Sequence, residues 1–106
     1  VGIAEREPLP VPGTYVTALR APSPNPFRGG VKLQYSLAAE SDVLLEVFDR
    51  VGRHVRTLVS GCVPAGNHDV TWNAADARGR TVSRGVYFCR FAAGGYQDSG
   101  KLVLER

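Results

Sequence analysis

The chain has 106 residues, enough for one domain and too few for two. Its 43% hydrophobic and 22% charged residues are ordinary for a globular protein, and no run reaches the ~18 apolar residues of a membrane helix, so no membrane insertion is expected. The net charge of +3 is mildly basic, but the arginines are scattered, with Arg50, Arg53 and Arg56 around one turn and Arg78, Arg80 and Arg84 around another. A nucleic-acid surface concentrates charge on one face or interleaves it with exposed aromatics, so no nucleic-acid partner is expected.

Taken in chain order, residues 1–20 stand apart from the rest. Pro8, Pro10 and Pro12 alternate through an extended arm that cannot be helical. Thr14–Leu19, with Tyr15 and Val16, reads as a first strand. Three prolines between Ala21 and Phe27 then exclude regular ladder pairing. The chain begins at Val1 with neither an initiator Met nor a signal-peptide pattern, as a mature product or an excised piece would.

From Val31 the apolar residues alternate. Val31, Leu33, Tyr35 and Leu37 point one way and Lys32, Gln34 and Ser36 the other. Val43, Leu45 and Val47 repeat the pattern, with Glu46 outward. Asp49–Arg53 is a tight connection in which Gly52 supplies a positive φ. A strand over Val55–Val59 is expected to close at Ser60-Gly61. Pro64–Asn67 turns the chain into His68–Asn73, where Val70 and Trp72 share a face, and Asp76–Gly79 turns it again. Gly85–Phe91 is the most apolar strand, with Tyr87, Cys89 and Phe91 inward and Arg90 in water. Gly94-Gly95 leads to a last strand with Leu102 and Leu104 inward and Lys101 and Val103 outward. No segment carries a 3.6-residue period. About seven short strands with a turn every 8–12 residues predict an all-β, immunoglobulin-like sandwich over residues 21–106, preceded by the arm and first strand over residues 1–20.

Few residues offer chemistry. A hydrolytic triad needs a nucleophile, a base and an orienting acid in mutual reach. The available imidazoles, His54 and His68, read as solvated strand positions with no nucleophile elbow, so no enzyme activity, catalytic residue or cofactor is expected. Asp69, Asn73 and Asp76 crowd one turn without the spacing of a calcium loop, and such residues usually bond their own backbone. Trp72, Tyr35, Tyr87 and Phe91 read as core aromatics and not as a sugar platform. Phe48 and Phe88 fall on the outer face and form a candidate contact patch.

Several motifs occur together and in order: Pro24-Asn25-Pro26-Phe27, Leu45 to Arg53, Val63 to His68, Val70-Thr71-Trp72, Ser83 to Phe88, and Lys101 to Arg106. Over residues 22–106 this set resembles the immunoglobulin-like domain of the flagellar hook-capping protein and the type A C-terminal sorting domains of bacterial type IX secretion. The resemblance implies a bacterial, secreted or surface-exposed sandwich without catalysis. It also marks Gly85, Val86, Tyr87, Lys101, Leu102 and Val103 as the sorting-type motif. Cys62 and Cys89 depart from it, standing where a Tyr or another large apolar residue is more usual. An even cysteine count in an extracellular setting predicts one disulfide, here between a loop and the opposite sheet, and no CxxC or His pair suggests a metal.

Three functions follow from these expectations. The first is a structural subunit whose arm docks on a neighbouring copy or a surface assembly, possible because strand addition satisfies an open sheet edge. The second is a sorting domain, with the arm as linker to a cargo domain. The third is a carbohydrate-binding accessory module.

Overall fold

The computed structural model describes residues 15–105. Seven strands follow in order: β1 (Ala18–Leu19), β2 (Val31–Leu37), β3 (Ser41–Asp49), β4 (His54–Val63), β5 (Gly66–Trp72), β6 (Gly85–Ala93) and β7 (Tyr96–Leu104). They form two antiparallel sheets, β1-β2-β5 and β4-β3-β6-β7. This is an immunoglobulin-like β-sandwich, as the alternation predicts.

The register explains the core. Val31, Leu33, Tyr35 and Leu37 of β2 face Val43, Leu45 and Val47 of β3 and Tyr87, Cys89 and Phe91 of β6, all buried, with Leu102 and Leu104 joining from β7. Trp72 lies at the centre with Phe27 and Tyr87, at ring-centroid distances of 5.8 and 5.3 Å. Its indole Nε1–H donates to the Ala75 carbonyl at 2.9 Å, so the one polar atom of the ring is satisfied in the interior. Complete burial of a side chain of this class stabilises by roughly 1.5–3 kcal/mol.

Several strand boundaries differ from expectation: β5 starts at Gly66, inside the expected turn, β6 runs on to Ala93, and two further differences bear on the edges of the sheets. β1 is only two residues long, because Val16 and Thr17 are tied sideways instead: the Ser36 hydroxyl donates to the Val16 carbonyl, and the Ala38 amide donates to Thr17 Oγ1 at 2.9 Å. β4 does not close at Ser60-Gly61 but runs on to Val63, with Gly61 at φ 141°. Its register against β3 slips twice, between Leu45 and Glu46 and between Val47 and Phe48. Such bulges bend and twist an edge strand, and they spread the partly buried Val55, Leu58 and Val59 over the rim of the core.

The proline-rich stretch forms no ladder, yet it closes the edge of β7. Asn25 Nδ2 donates to the Lys101 carbonyl at 2.8 Å, and its Oδ1 accepts from the Val103 amide at 2.9 Å. Phe27 then donates to the Val103 carbonyl at 2.8 Å and accepts from the Glu105 amide at 2.7 Å. One side-chain amide and one residue thus stand in for an eighth strand over the last third of β7.

Candidate functional site

The two outer faces of the sandwich differ in chemistry. That of the three-stranded sheet shows Lys32, Gln34, Asn67, Asp69 and Thr71, all exposed and polar. That of the four-stranded sheet carries Leu44 and Phe88, each 40% exposed, with the half-buried Phe48, Val86 and Ala92. Inward Val43, Leu45 and Val47 force Leu44, Glu46 and Phe48 outward, and their partners on β6 point the same way, with Cys89, Phe91 and Ala93 inward and Phe88 and Arg90 outward. Phe48 and Phe88 are direct cross-strand partners.

Around this aromatic pair lies a shallow depression of about 320 Å³, lined among others by Asp49, Arg50, Arg90 and Ser99. The Arg90 guanidinium sits 5.0 Å from the Phe48 ring centroid, and the His54 ring meets the same ring edge-on at 5.7 Å. His54 Nε2 is also 3.4 Å from Glu46 Oε2. The hairpin beside the depression is held by one carboxylate. Asp49 accepts from the Val51 and Arg53 amides at 3.0 and 2.9 Å and from Arg53 Nε at 3.0 Å. The Arg53 backbone hydrogen bond leads in holding its carboxyl below the usual range, with the Val51 amide and the Arg53 side chain adding to it. Asp49 is therefore committed to its own turn, whereas Arg50, Arg90 and Lys101 make no ion pair among the described residues.

The structure brings together the two sets of residues that the resemblance marks as a sorting-type motif. Val86 pairs with Val103, Tyr87 with Leu102 and Phe88 with Lys101 across β6 and β7, and Gly85 faces Leu104. Tyr87 and Leu102 belong to the core, Tyr87 through a 2.6 Å bond from its hydroxyl to the Ser83 carbonyl. Of the arm, Pro8, Pro10 and Pro12 lie outside the described residues. Tyr15 is half-buried, and Val16 is 75% exposed.

Two expectations are corrected. Cys62 and Cys89 are both free thiols. They belong to the same sheet, with Cys62 opposite Asp42 and Cys89 opposite Val47. Five residues along β3 is about 17 Å, far beyond the roughly 7 Å Cα limit of a disulfide. Cys62 instead donates to Glu40 Oε2 at 3.1 Å, a contact that raises its pKa, and burial pushes the Cys89 thiol up to about 11. The second correction concerns His68, which pairs with the inward Tyr35 and lies 5.4 Å from its ring at the rim of the core, not on the polar face.

Asp76 caps its own turn through the Arg78 and Arg80 amides at 2.9 and 3.0 Å, and the Arg80 bond leads in lowering its pKa. Among the described residues no three His, Cys, Asp or Glu side chains gather as a metal site. Sequence reasoning missed Leu44 and the role of Arg90. Alternation about Glu46 was enough to place Leu44 outward, whereas the Arg90–Phe48 contact depends on the β3–β6 register.

With this geometry in view, residues 23–97 match the model of the FlgD Ig-like domain. The chain belongs to the FlgD Ig-like domain family. Ig-like domains of this kind mediate protein–protein interactions and are typically non-catalytic. No curated protein matches the chain. Among solved structures, this FlgD Ig-like domain is similar to part of dimeric latent PorU from Porphyromonas gingivalis, with a TM-score of 0.62 and 19% identity over 89% of the chain and 10% of PorU. It is also similar to part of PorZ, a surface component of the type IX secretion system of the same organism, with a TM-score of 0.55 and 21% identity over 85% of the chain and 11% of PorZ. A third likeness is to the Pseudomonas fluorescens alkylpurine DNA glycosylase AlkC, with a TM-score of 0.52 and 12% identity over 90% of the chain and 32% of AlkC. The chain thus spans about a tenth of the first two proteins it matches. At these identities the likeness is one of fold, and function has to be argued from the site.

Proposed function

We propose that this domain is a non-catalytic, extracellular module for protein–protein assembly at a bacterial cell surface, docking through the outer face of its four-stranded sheet. The observation that carries this reading is the asymmetry of the two outer faces. On one, β2 and β5 expose only polar side chains, and the other exposes Leu44 and Phe88 around a shallow depression. Apolar exposure gathered on one face is the mark of an interaction surface. The partner is a copy of the domain or a component of a surface assembly, with the arm through Pro8, Pro10 and Pro12 adding a second contact along a neighbour's sheet edge.

A photo-crosslinking residue in place of Phe88, and separately in place of Gln34 on the polar face, tests this in the secreting cell. Position 88 is expected to give a discrete adduct with one identified surface protein or with a second copy, and position 34 none. Equal adducts from both positions, or none from either, would overturn the reading.

A second reading is a C-terminal type IX sorting domain of a larger secreted protein. It is favoured by the recurrence of this fold as about a tenth of PorU and PorZ, two proteins of that system's organism. Fused behind a passenger protein, the domain would then direct its export, and a passenger retained inside the cell would count against it. The carbohydrate reading loses ground because Arg90 and His54 occupy the Phe48 ring, leaving no bare platform there.

A further inference from the structure

We infer that the Phe48–Phe88 depression receives an extended acidic segment of a partner protein, an apolar side chain resting on the exposed Phe88 ring and its flanking carboxylates held by Arg50, Arg90 and Lys101. This rests on the docking reading above and names the chemistry of the partner.

Three observations lead to it. The floor is apolar and fixed, because Phe48 and Phe88 are cross-strand partners in the two central strands of the sheet. The rim is cationic: Arg50 and Arg90 line the depression, Lys101 pairs directly with Phe88 across β6 and β7, and none of the three has an ion pair among the described residues. Two acids lie close by: Asp49 is engaged with the Val51 and Arg53 amides and Arg53 Nε, and Glu46, the cross-strand partner of Arg90, lies beside His54 and makes no ion pair with Arg90. An incoming carboxylate therefore meets three cations that have no ion pair among the described residues, and a basic segment would meet the same three as repulsion.

An anionic polysaccharide offers the same charge. With the Arg90 guanidinium over Phe48 the two rings make no continuous platform for a sugar, and Ig-like domains of this kind mediate protein–protein interactions. An extended peptide needs only the single exposed Phe88 ring. Its alternating side chains put an apolar group on the floor and acids on either side. Exposed ion pairs are individually weak, so three of them together correspond to a preference on the order of tenfold for an acidic over an isosteric neutral segment.

The test uses ¹⁵N-labelled protein titrated to millimolar concentration with the capped peptide Glu-Leu-Glu-Phe-Glu, its counterpart Gln-Leu-Gln-Phe-Gln, and an oligogalacturonate. The acidic peptide is expected to shift the amides of Phe48, Phe88, Arg90 and Lys101, binding about tenfold more tightly than the neutral one and weakening in high salt. Arg90→Gln, at an exposed position, should lower that affinity several-fold while Lys32→Gln on the other face leaves it unchanged. Phe88→Ser gives the same readout for the apolar contact. Absence of shifts at millimolar acidic peptide, equal binding of the neutral peptide, or binding of oligogalacturonate alone would overturn the inference. If position 88 still crosslinks to a surface protein in that case, the docking face stands and only its acidic preference falls.

Discussion

Gly100 is the position at which the core can be tested most sharply. It faces Cys89 across β6 and β7, and a Cβ added there would lie 3.1 Å from Cys89 Sγ and 3.6 Å from Pro22 Cγ. Cys89 is fully buried, so the sulfur has little room to yield. Overpacking by one carbon costs about 1–3 kcal/mol, and stiffening the unfolded chain by Gly→Ala returns about 0.4–1 kcal/mol. Gly100→Ala should therefore destabilise by roughly 1 kcal/mol, lowering Tm by about 4–8 °C for a domain of this size. Cys89→Ala alone should cost about 0.5–1.5 kcal/mol through the small cavity left by the sulfur. In the double variant the new Cβ occupies part of that cavity, so the two costs should fall short of their sum by about 1 kcal/mol. Urea denaturation of all four proteins, with a common m-value, measures this coupling. Additivity within about 0.3 kcal/mol would show that the Gly100–Cys89 contact does not restrain the sheet as described.

Titration with a thiol reagent at mild alkaline pH should detect Cys62 in the native protein and Cys89 only after unfolding, both without reductant; two thiols missing after unfolding would mean that the pair is bonded. The depressed carboxyls of Asp49 and Asp76 contribute stability that is present above their unfolded value of 3.8 and is lost as pH falls through the lower folded values. The Asp49→Asn, Asp76→Asn double variant should therefore be less stable at neutral pH and show a flatter fall in Tm below about pH 4, and an unchanged acid limb would contradict the turn-capping role. Trp72→Phe leaves the Ala75 carbonyl without its donor and shrinks the central ring, so it should cost about 2–4 kcal/mol by denaturant unfolding. A loss below about 0.5 kcal/mol would remove Trp72 from the centre of the core.

Most of the fold was legible because one face of each strand is buried, and an alternating strand cannot slip by one residue without exposing its core. Val31 to Leu37, Val43 to Val47 and Tyr87 to Phe91 all follow this rule. What the alternation does not encode is which strands lie side by side and in what register. That gap accounts for the expected disulfide, since Cys62 and Cys89 look like a natural pair until β3 places them five rows apart. It also hid the Asn25 contact with β7, which joins residues 76 and 78 positions apart through a side chain. The end of β4 was misread because Ser60-Gly61 is a common stop signal, whereas here Gly61 stays within the strand. The aromatic half of the candidate site was visible from parity alone, and its cationic rim emerged only once the hairpin and β7 stood beside β6.

The Asn25–Phe27 clip on β7 has a mechanical consequence. It joins the chain just after the first strand to the last strand of the opposite sheet, so tension applied upstream of Ala18 is passed to β7 and not only to the two-residue β1. The hydrogen bonds of Asn25 and Phe27 run across the line of the strand and would have to break in shear, several at once. A domain held at one end and loaded at the other would then resist opening until this short clasp failed.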